Sequence, residues 1–133
     1  LGLVGSEMCI RDSMASAAAF CPQPSFAVYA ASKACVLSFS RALGQELREK
    51  SIYVTAVCPG PVETEFFEVS GELKNPLKKL NMAAANKVVH RALIDSRKKK
   101  SVSVYGAGIK AAEIMTKLLP VSLILKAEEL FVS

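Results

Sequence analysis

Residues 51–58, Ser-Ile-Tyr-Val-Thr-Ala-Val-Cys, constrain the fold of this chain more than any other stretch. They are rich in β-branched side chains, carry no charge and stop at Pro59-Gly60-Pro61, which predicts a buried strand. Immediately before it, residues 27–50 have helical period. Val28, Val36, Leu37, Phe39, Leu43 and Leu47 form the expected apolar side, and Arg41, Gln45, Glu46, Arg48 and Glu49 the polar one. Residues 16–23 are small and apolar and close on Pro22 and Pro24, a strand end running into a loop. Downstream, Gly71 and Pro76 break residues 66–79 into loop and short helical pieces. Helix period returns over 82–99 through Met82, Ala85, Val88, Val89, Ala92, Leu93 and Ser96. Residues 101–105 alternate as a strand, 108–119 are helical up to Pro120, and 121–131 form a last apolar helix. Strands alternating with helices on short links predict an α/β fold, a parallel sheet layered with helices.

At 133 residues the chain has room for one domain, and 51% hydrophobic with 22% charged residues is a globular composition. A complete doubly wound dinucleotide-binding domain usually needs more chain. The net charge of +5 owes much to the run Arg97-Lys98-Lys99-Lys100. A solvated helix end, where cations complement the helix dipole, explains that run better than nucleic acid, because no aromatic or Gly-rich RNA-binding pattern accompanies it. Cys9, Cys21, Cys35 and Cys58 lack CxxC spacing, and His90 is the only histidine, so no metal site is expected. The apolar neighbours of these cysteines predict reduced, buried thiols in a cytoplasmic protein. No apolar run approaches the ~18 residues of a membrane span. The stretch 118–125, flanked by lysines, is read as packing or oligomer contact ahead of a membrane-grazing segment or a substrate lid.

The chemistry concentrates in Tyr29-Ala-Ala-Ser-Lys33. Four residues apart on a helix, phenol and ammonium share a face. A nearby cation favours the phenolate and draws the tyrosine below its reference pKa of about 10. Such a tyrosine exchanges a proton with a carbonyl or alcohol oxygen near neutral pH. Ser16, thirteen residues earlier at the strand end, offers a hydroxyl to the developing oxyanion. His90 is an ordinary helix histidine, and Glu63 and Glu65 are exposed loop charges. Gly106-Ala-Gly108-Ile-Lys-Ala111 matches GxGxxA after a strand, but Pro120 and the chain end leave no following βαβ strand, so a strand-to-helix turn is expected.

Beyond the bare YxxxK spacing, the text from Ser16 through Tyr29 and Lys33 resembles, without a gap, the serine-to-YxxxK region of the short-chain dehydrogenase/reductase family. Residues 34–50 resemble that family's central interface helix, and residues 52–66, with Pro59-Gly60-Pro61-Val62-Glu63-Thr64, its following strand and Pro-Gly loop. The strand, turn and helix around 101–119 resemble the C-terminal extension of a bacterial branch. The resemblance implies the C-terminal half of a doubly wound, Rossmann-like domain, using NADP(H) or NAD(H) on a small carbonyl or alcohol substrate, in a homo-oligomeric parent. It implies Tyr29 as catalytic acid/base, Ser16 as the residue that orients and polarises the substrate oxygen, and Lys33 as the partner that lowers the tyrosine pKa. Tyr29 and Lys33 also meet the cofactor, with Lys33 on the nicotinamide ribose hydroxyls. Pro59 and Gly60 shape the turn, the Val62 backbone receives the carboxamide, and Thr64 binds through its hydroxyl. A non-catalytic nucleotide-sensing member of the fold and a sugar-nucleotide epimerase relative remain the alternatives.

Two features set limits. Residues 3–12, Leu-Val-Gly-Ser-Glu-Met-Cys-Ile-Arg-Asp, resemble the translation of a sequencing-library adapter read through in frame. Residues 1–13 are therefore expected to be non-native and to stand outside the fold, with 14–133 as the catalytic part. The family's Gly-rich phosphate turn, the residue that reads the adenosine ribose and the catalytic Asn have no counterpart in these 133 residues, so little or no activity is expected of the chain as written.

Overall fold

The computed structural model describes residues 9–63 and 83–132. Three parallel strands, β1 (Cys9–Met14), β2 (Ile52–Val57) and β5 (Val102–Ser103), form a sheet in the order β1-β2-β5. A second, two-residue parallel pair joins β3 (Val62–Glu63) to β4 (Ala83–Ala84). The helices are α1 (Ala27–Glu46), α2 (Ala85–Arg97), α3 (Ala107–Leu118) and α4 (Val121–Val132), with 3-10 turns at Ala17–Phe20 and Arg48–Lys50. The α/β expectation holds. The predicted strand at 51–58 appears as β2, and Pro120 separates α3 from α4 where the sequence placed the break. Among the described residues no helix is long and apolar enough to cross a membrane.

The core lies where α1 meets the sheet: Leu37 packs with Ala15, Ala56, Cys58 and Val104, and Phe20, Val36, Val102 and Ile109 close around them. The buried side of α1 differs from the predicted one. Ala30, Leu37 and Ser40 are buried, whereas Val28 is 86% and Phe39 63% exposed. Small residues govern because the helix sits close to the sheet, and a Cβ added at Gly44 would lie 3.4 Å from the Cβ of Val54. Ser40 tolerates burial because its hydroxyl donates to the Val36 carbonyl at 2.7 Å. The helix also ends earlier than predicted, at Glu46. A 3-10 turn and a left-handed Ser51 (φ 58) reverse the chain, and the Ile52 N–H bonds the Leu47 carbonyl at 3.2 Å.

Three further expectations are corrected. Residues 9–13 do not stand outside the fold: β1 pairs in continuous register with β2, from Cys9 against Ile52 to Met14 against Val57. Parallel pairing is made by backbone groups, so strand geometry does not depend on side-chain pattern there. Of Cys21, Cys35 and Cys58 only Cys58 is buried, and Cys35 is exposed on α1. The basic run is not wholly solvated: Lys100 Nζ lies 3.0 Å from the buried Asp95, and Lys99 Nζ sits 4.5 Å from the centre of the Tyr53 ring.

Asp95 anchors α2 to the sheet. Its Oδ2 accepts from Arg91 Nε at 3.0 Å and from Ser103 Oγ at 2.9 Å. Burial alone raises its pKa, but hydrogen bonds from Lys100, Ser103 and Arg91, together with the Arg91 charge, outweigh burial and hold the carboxyl below its ordinary range. One helical residue on, Ser96 Oγ donates to Asp12 of β1 at 2.6 Å.

Candidate active site

The site is built at the C-terminal ends of β1 and β2. Past the last β1 residue the parallel ladder continues, the Ala15 N–H bonding the Val57 carbonyl and the Ala17 N–H the Pro59 carbonyl, both at 2.9 Å. These bonds hold the intervening Ser16 beside the Pro59-Gly60 turn. Ser16 is extended (φ −165, ψ 160) and caps the following 3-10 turn, its Oγ accepting from the Ala18 N–H at 3.2 Å. Its hydroxyl proton has no acceptor among the described residues, so Ser16 keeps a donor to offer to a ligand oxygen.

Tyr29 lies in the first turn of α1, 48% exposed. Lys33, one turn on, places Nζ 5.7 Å from the Tyr29 ring centre and donates to the Met14 carbonyl at 3.3 Å. The i,i+4 spacing thus brings phenol and ammonium to one face, as predicted, and the lysine is held between the helix and the end of β1. Ser32 steadies the same turn, its hydroxyl donating to the Tyr29 carbonyl at 2.7 Å.

Beneath Ser16 lies Cys58, fully buried. Burial pushes its thiol up to about 11, against the pull of the Arg41 charge and the Ser16 backbone N–H, with Glu113 adding to the rise. Cys58 is therefore a neutral packing group under the site, the buried free thiol that its apolar neighbours predicted. A Cβ at Gly60 would lie 2.8 Å from Ile109 Cδ1 and 2.9 Å from its Cγ1, so any larger residue there forces Ile109 of α3 aside.

Pro59, Gly60 and Pro61 follow β2 after Cys58, and Val62 enters the short pair with Ala83. Thr64, Glu65 and the loop 66–79 lie outside the described residues. His90 is exposed on α2, as an ordinary helix histidine would be. Gly106 (φ 93) opens α3, its carbonyl accepting from the Lys110 N–H at 3.2 Å. Among the described residues α3 leads into α4 and not into a strand, so the GxGxxA match is the expected strand-to-helix turn.

The family description "short chain dehydrogenase" matches residues 13–75. An uncharacterized oxidoreductase of Escherichia coli is 43% identical over 53 residues, which are 40% of this chain and 18% of that protein. The 17-beta-hydroxysteroid dehydrogenase type 3 of Rattus norvegicus is 31% identical over 98 residues, 74% of this chain and 29% of the other. The chain thus spans less than a third of the length of the curated relatives it matches. Among solved structures, a short-chain dehydrogenase from Sphingobium yanoikuyae in complex with NADPH superposes with a TM-score of 0.63 at 28% identity, covering 71% of this chain and 36% of that one. A Burkholderia cenocepacia short-chain dehydrogenase has the same fold at a TM-score of 0.66 and 24% identity, covering 80% of this chain and 41% of that one. With the Ser16, Tyr29 and Lys33 arrangement at the strand ends, these likenesses place the chain in the short-chain dehydrogenase/reductase family.

Proposed function

We propose that this chain carries the proton-handling half of an NAD(P)(H)-dependent oxidoreductase that interconverts a small carbonyl compound and its alcohol. The observation that carries the reading is the Tyr29–Lys33 pair, whose lysine is tied to the Met14 carbonyl at the strand end that also presents Ser16. In the reducing direction Tyr29 Oη gives its proton to the carbonyl oxygen, and Ser16 donates a hydrogen bond to the same oxygen as negative charge develops. The Lys33 ammonium stabilises the phenolate left behind until water restores its proton.

The residues present fit a nicotinamide nucleotide, which when bound supplies or accepts the hydride at the substrate carbon. Lys33 has three N–H donors and commits one to Met14, leaving two for ribose hydroxyls. The Pro59-Gly60-Pro61 turn lies outside the carboxyl end of a parallel strand, where open α/β sheets bind such ligands. In this reading the Val62 backbone and the Thr64 hydroxyl complete the nicotinamide side. The NADPH held by the Sphingobium relative supports the cofactor class.

The phosphate turn and the adenosine-reading residue belong, in this proposal, to sequence encoded upstream, so the 133 residues alone turn over little or nothing. The adapter origin of residues 1–13 belongs to the same proposal. It is supported by a family match that begins at residue 13 and by the charged pair Arg11-Asp12, unusual in a parallel strand. Genomic sequence that continues unchanged across the codons for Asp12 to Ala15 refutes it. The exposed Val28 and Phe39 on α1 support a homo-oligomeric parent, which we place in the cytoplasm. Nicotinamide fluorescence, followed with candidate ketones in the chain extended by its native upstream sequence, tests the activity. Turnover that disappears in Tyr29→Phe supports it, and cofactor binding with no turnover on any ketone points to a nucleotide-sensing protein.

A further inference from the structure

A cavity lies at the amino end of β2, opposite the Pro59-Gly60 turn. It has a volume of about 460 Å³ and is lined by Arg41 of α1, Arg48 of the following 3-10 turn, Tyr53, Lys99 and Ser101, with Gly44 among the remaining lining residues. Tyr53 and Pro59 are six residues apart along the strand, roughly 20 Å at the usual rise, so this cavity is remote from Tyr29. The dinucleotide crevice of such sheets is at the carboxyl ends of the strands, so this is not the cofactor's place.

Three cations face this space, and no carboxylate lines it. The ion pairs among the described residues are Arg91–Asp95, Lys100–Asp95 and Lys117–Glu113, and none engages Arg41, Arg48 or Lys99. Converging like charges repel unless an anion sits between them. Lys99 is brought there by the end of α2. It is the left-handed residue (φ 59) just past the helix, where its N–H bonds the Ser96 carbonyl at 2.9 Å and the Lys100 N–H bonds the Asp95 carbonyl at 3.1 Å. The result is an ammonium over the Tyr53 ring, donating to the Tyr53 hydroxyl at 3.4 Å. Two further Lys99 donors and the Ser101 hydroxyl remain for a ligand. At Gly44 the absence of a side chain keeps the helix close to Val54 and the cavity open.

We propose that this cavity binds a phosphorylated small molecule, its phosphoryl oxygens held by Arg41, Arg48 and Lys99. Planar guanidinium groups match phosphate oxygens two at a time, and the volume exceeds that of a bare phosphate and falls in the range of small-molecule sites.

Isothermal titration of the 133-residue chain with inorganic pyrophosphate tests the proposal. Saturable binding is expected, weakened at least about tenfold by Arg48→Gln and again by Lys99→Gln, as loss of a charge-assisted contact predicts. Both side chains are on exposed residues, so far-UV circular dichroism and the melting temperature should match wild type in each variant. Tyr29→Phe should leave pyrophosphate binding unchanged. The proposal is overturned if millimolar pyrophosphate gives no binding, or if binding survives undiminished in the Arg48→Gln, Lys99→Gln double variant.

Discussion

Replacing Asp95 by alanine should destabilise the fold more than any other single charge removal in the described structure. The Asp95 side chain is 2% exposed, while Arg91 and Lys100 are 34% and 46% exposed. Those two cations can return to water, so each pair contributes no more than about 1 kcal/mol. Ser103 cannot, because it is 2% exposed and its hydroxyl loses its acceptor, a cost of about 1–3 kcal/mol. Together these give about 3 kcal/mol, a large fraction of a domain stability of about 5–15 kcal/mol. A drop in melting temperature of roughly 10 °C should follow. Asp95→Asn, which keeps an acceptor for Ser103, should fall between the two.

The pH dependence is specific. Because the native carboxyl titrates below the unfolded value of about 3.9, ionised Asp95 contributes fully above that pH. Its contribution disappears as pH falls through the lower native value, so wild type and Asp95→Ala should converge in acid. Melting curves by circular dichroism across that range measure both effects. A variant melting within a degree of wild type at neutral pH, or a difference that stays constant into acid, refutes the reasoning.

Two other perturbations bear on the core. Leu37→Ala, at a site 4% exposed between α1 and the sheet, should cost about 2–4 kcal/mol in chemical denaturation, whereas Phe39→Ala, two residues on and exposed on the other side of the helix, should cost well under half of that. Iodoacetamide at about pH 8 should label Cys35 rapidly and Cys58 only after unfolding, since Cys58 is buried with its thiol raised to about 11; mass spectrometry showing equal labelling of the two would contradict its placement beneath Ser16.

Local signals made much of this fold legible. The β-branched run before Pro59 announced β2, Pro120 announced the break between α3 and α4, and YxxxK placed Tyr29 and Lys33 on one helical face. What hydrophobic period misplaced was the buried side of α1. Val28 and Phe39 outrank Ala30, Ser40 and Gly44 on any hydropathy scale, but the close approach of the helix to Val54 selects for small size. The Asp95 cluster was illegible because its partners Ser103 and Lys100 arrive from beyond the helix that carries it, and the Asp12–Ser96 contact spans 84 positions. For the same reason Cys58 read as one more apolar-flanked thiol, since nothing in residue order puts it beneath Ser16.

The central claim is that Tyr29 supplies the proton, and the most direct test is the turnover number of Tyr29→Phe in the chain joined to its native upstream sequence, with NADPH and a ketone that wild type reduces. Removing only the phenolic hydroxyl should lower kcat by about 10²–10⁴-fold, the usual contribution of a positioned general acid, while the melting temperature stays at its wild-type value. A Tyr29→Phe protein that keeps more than a tenth of wild-type turnover contradicts the account.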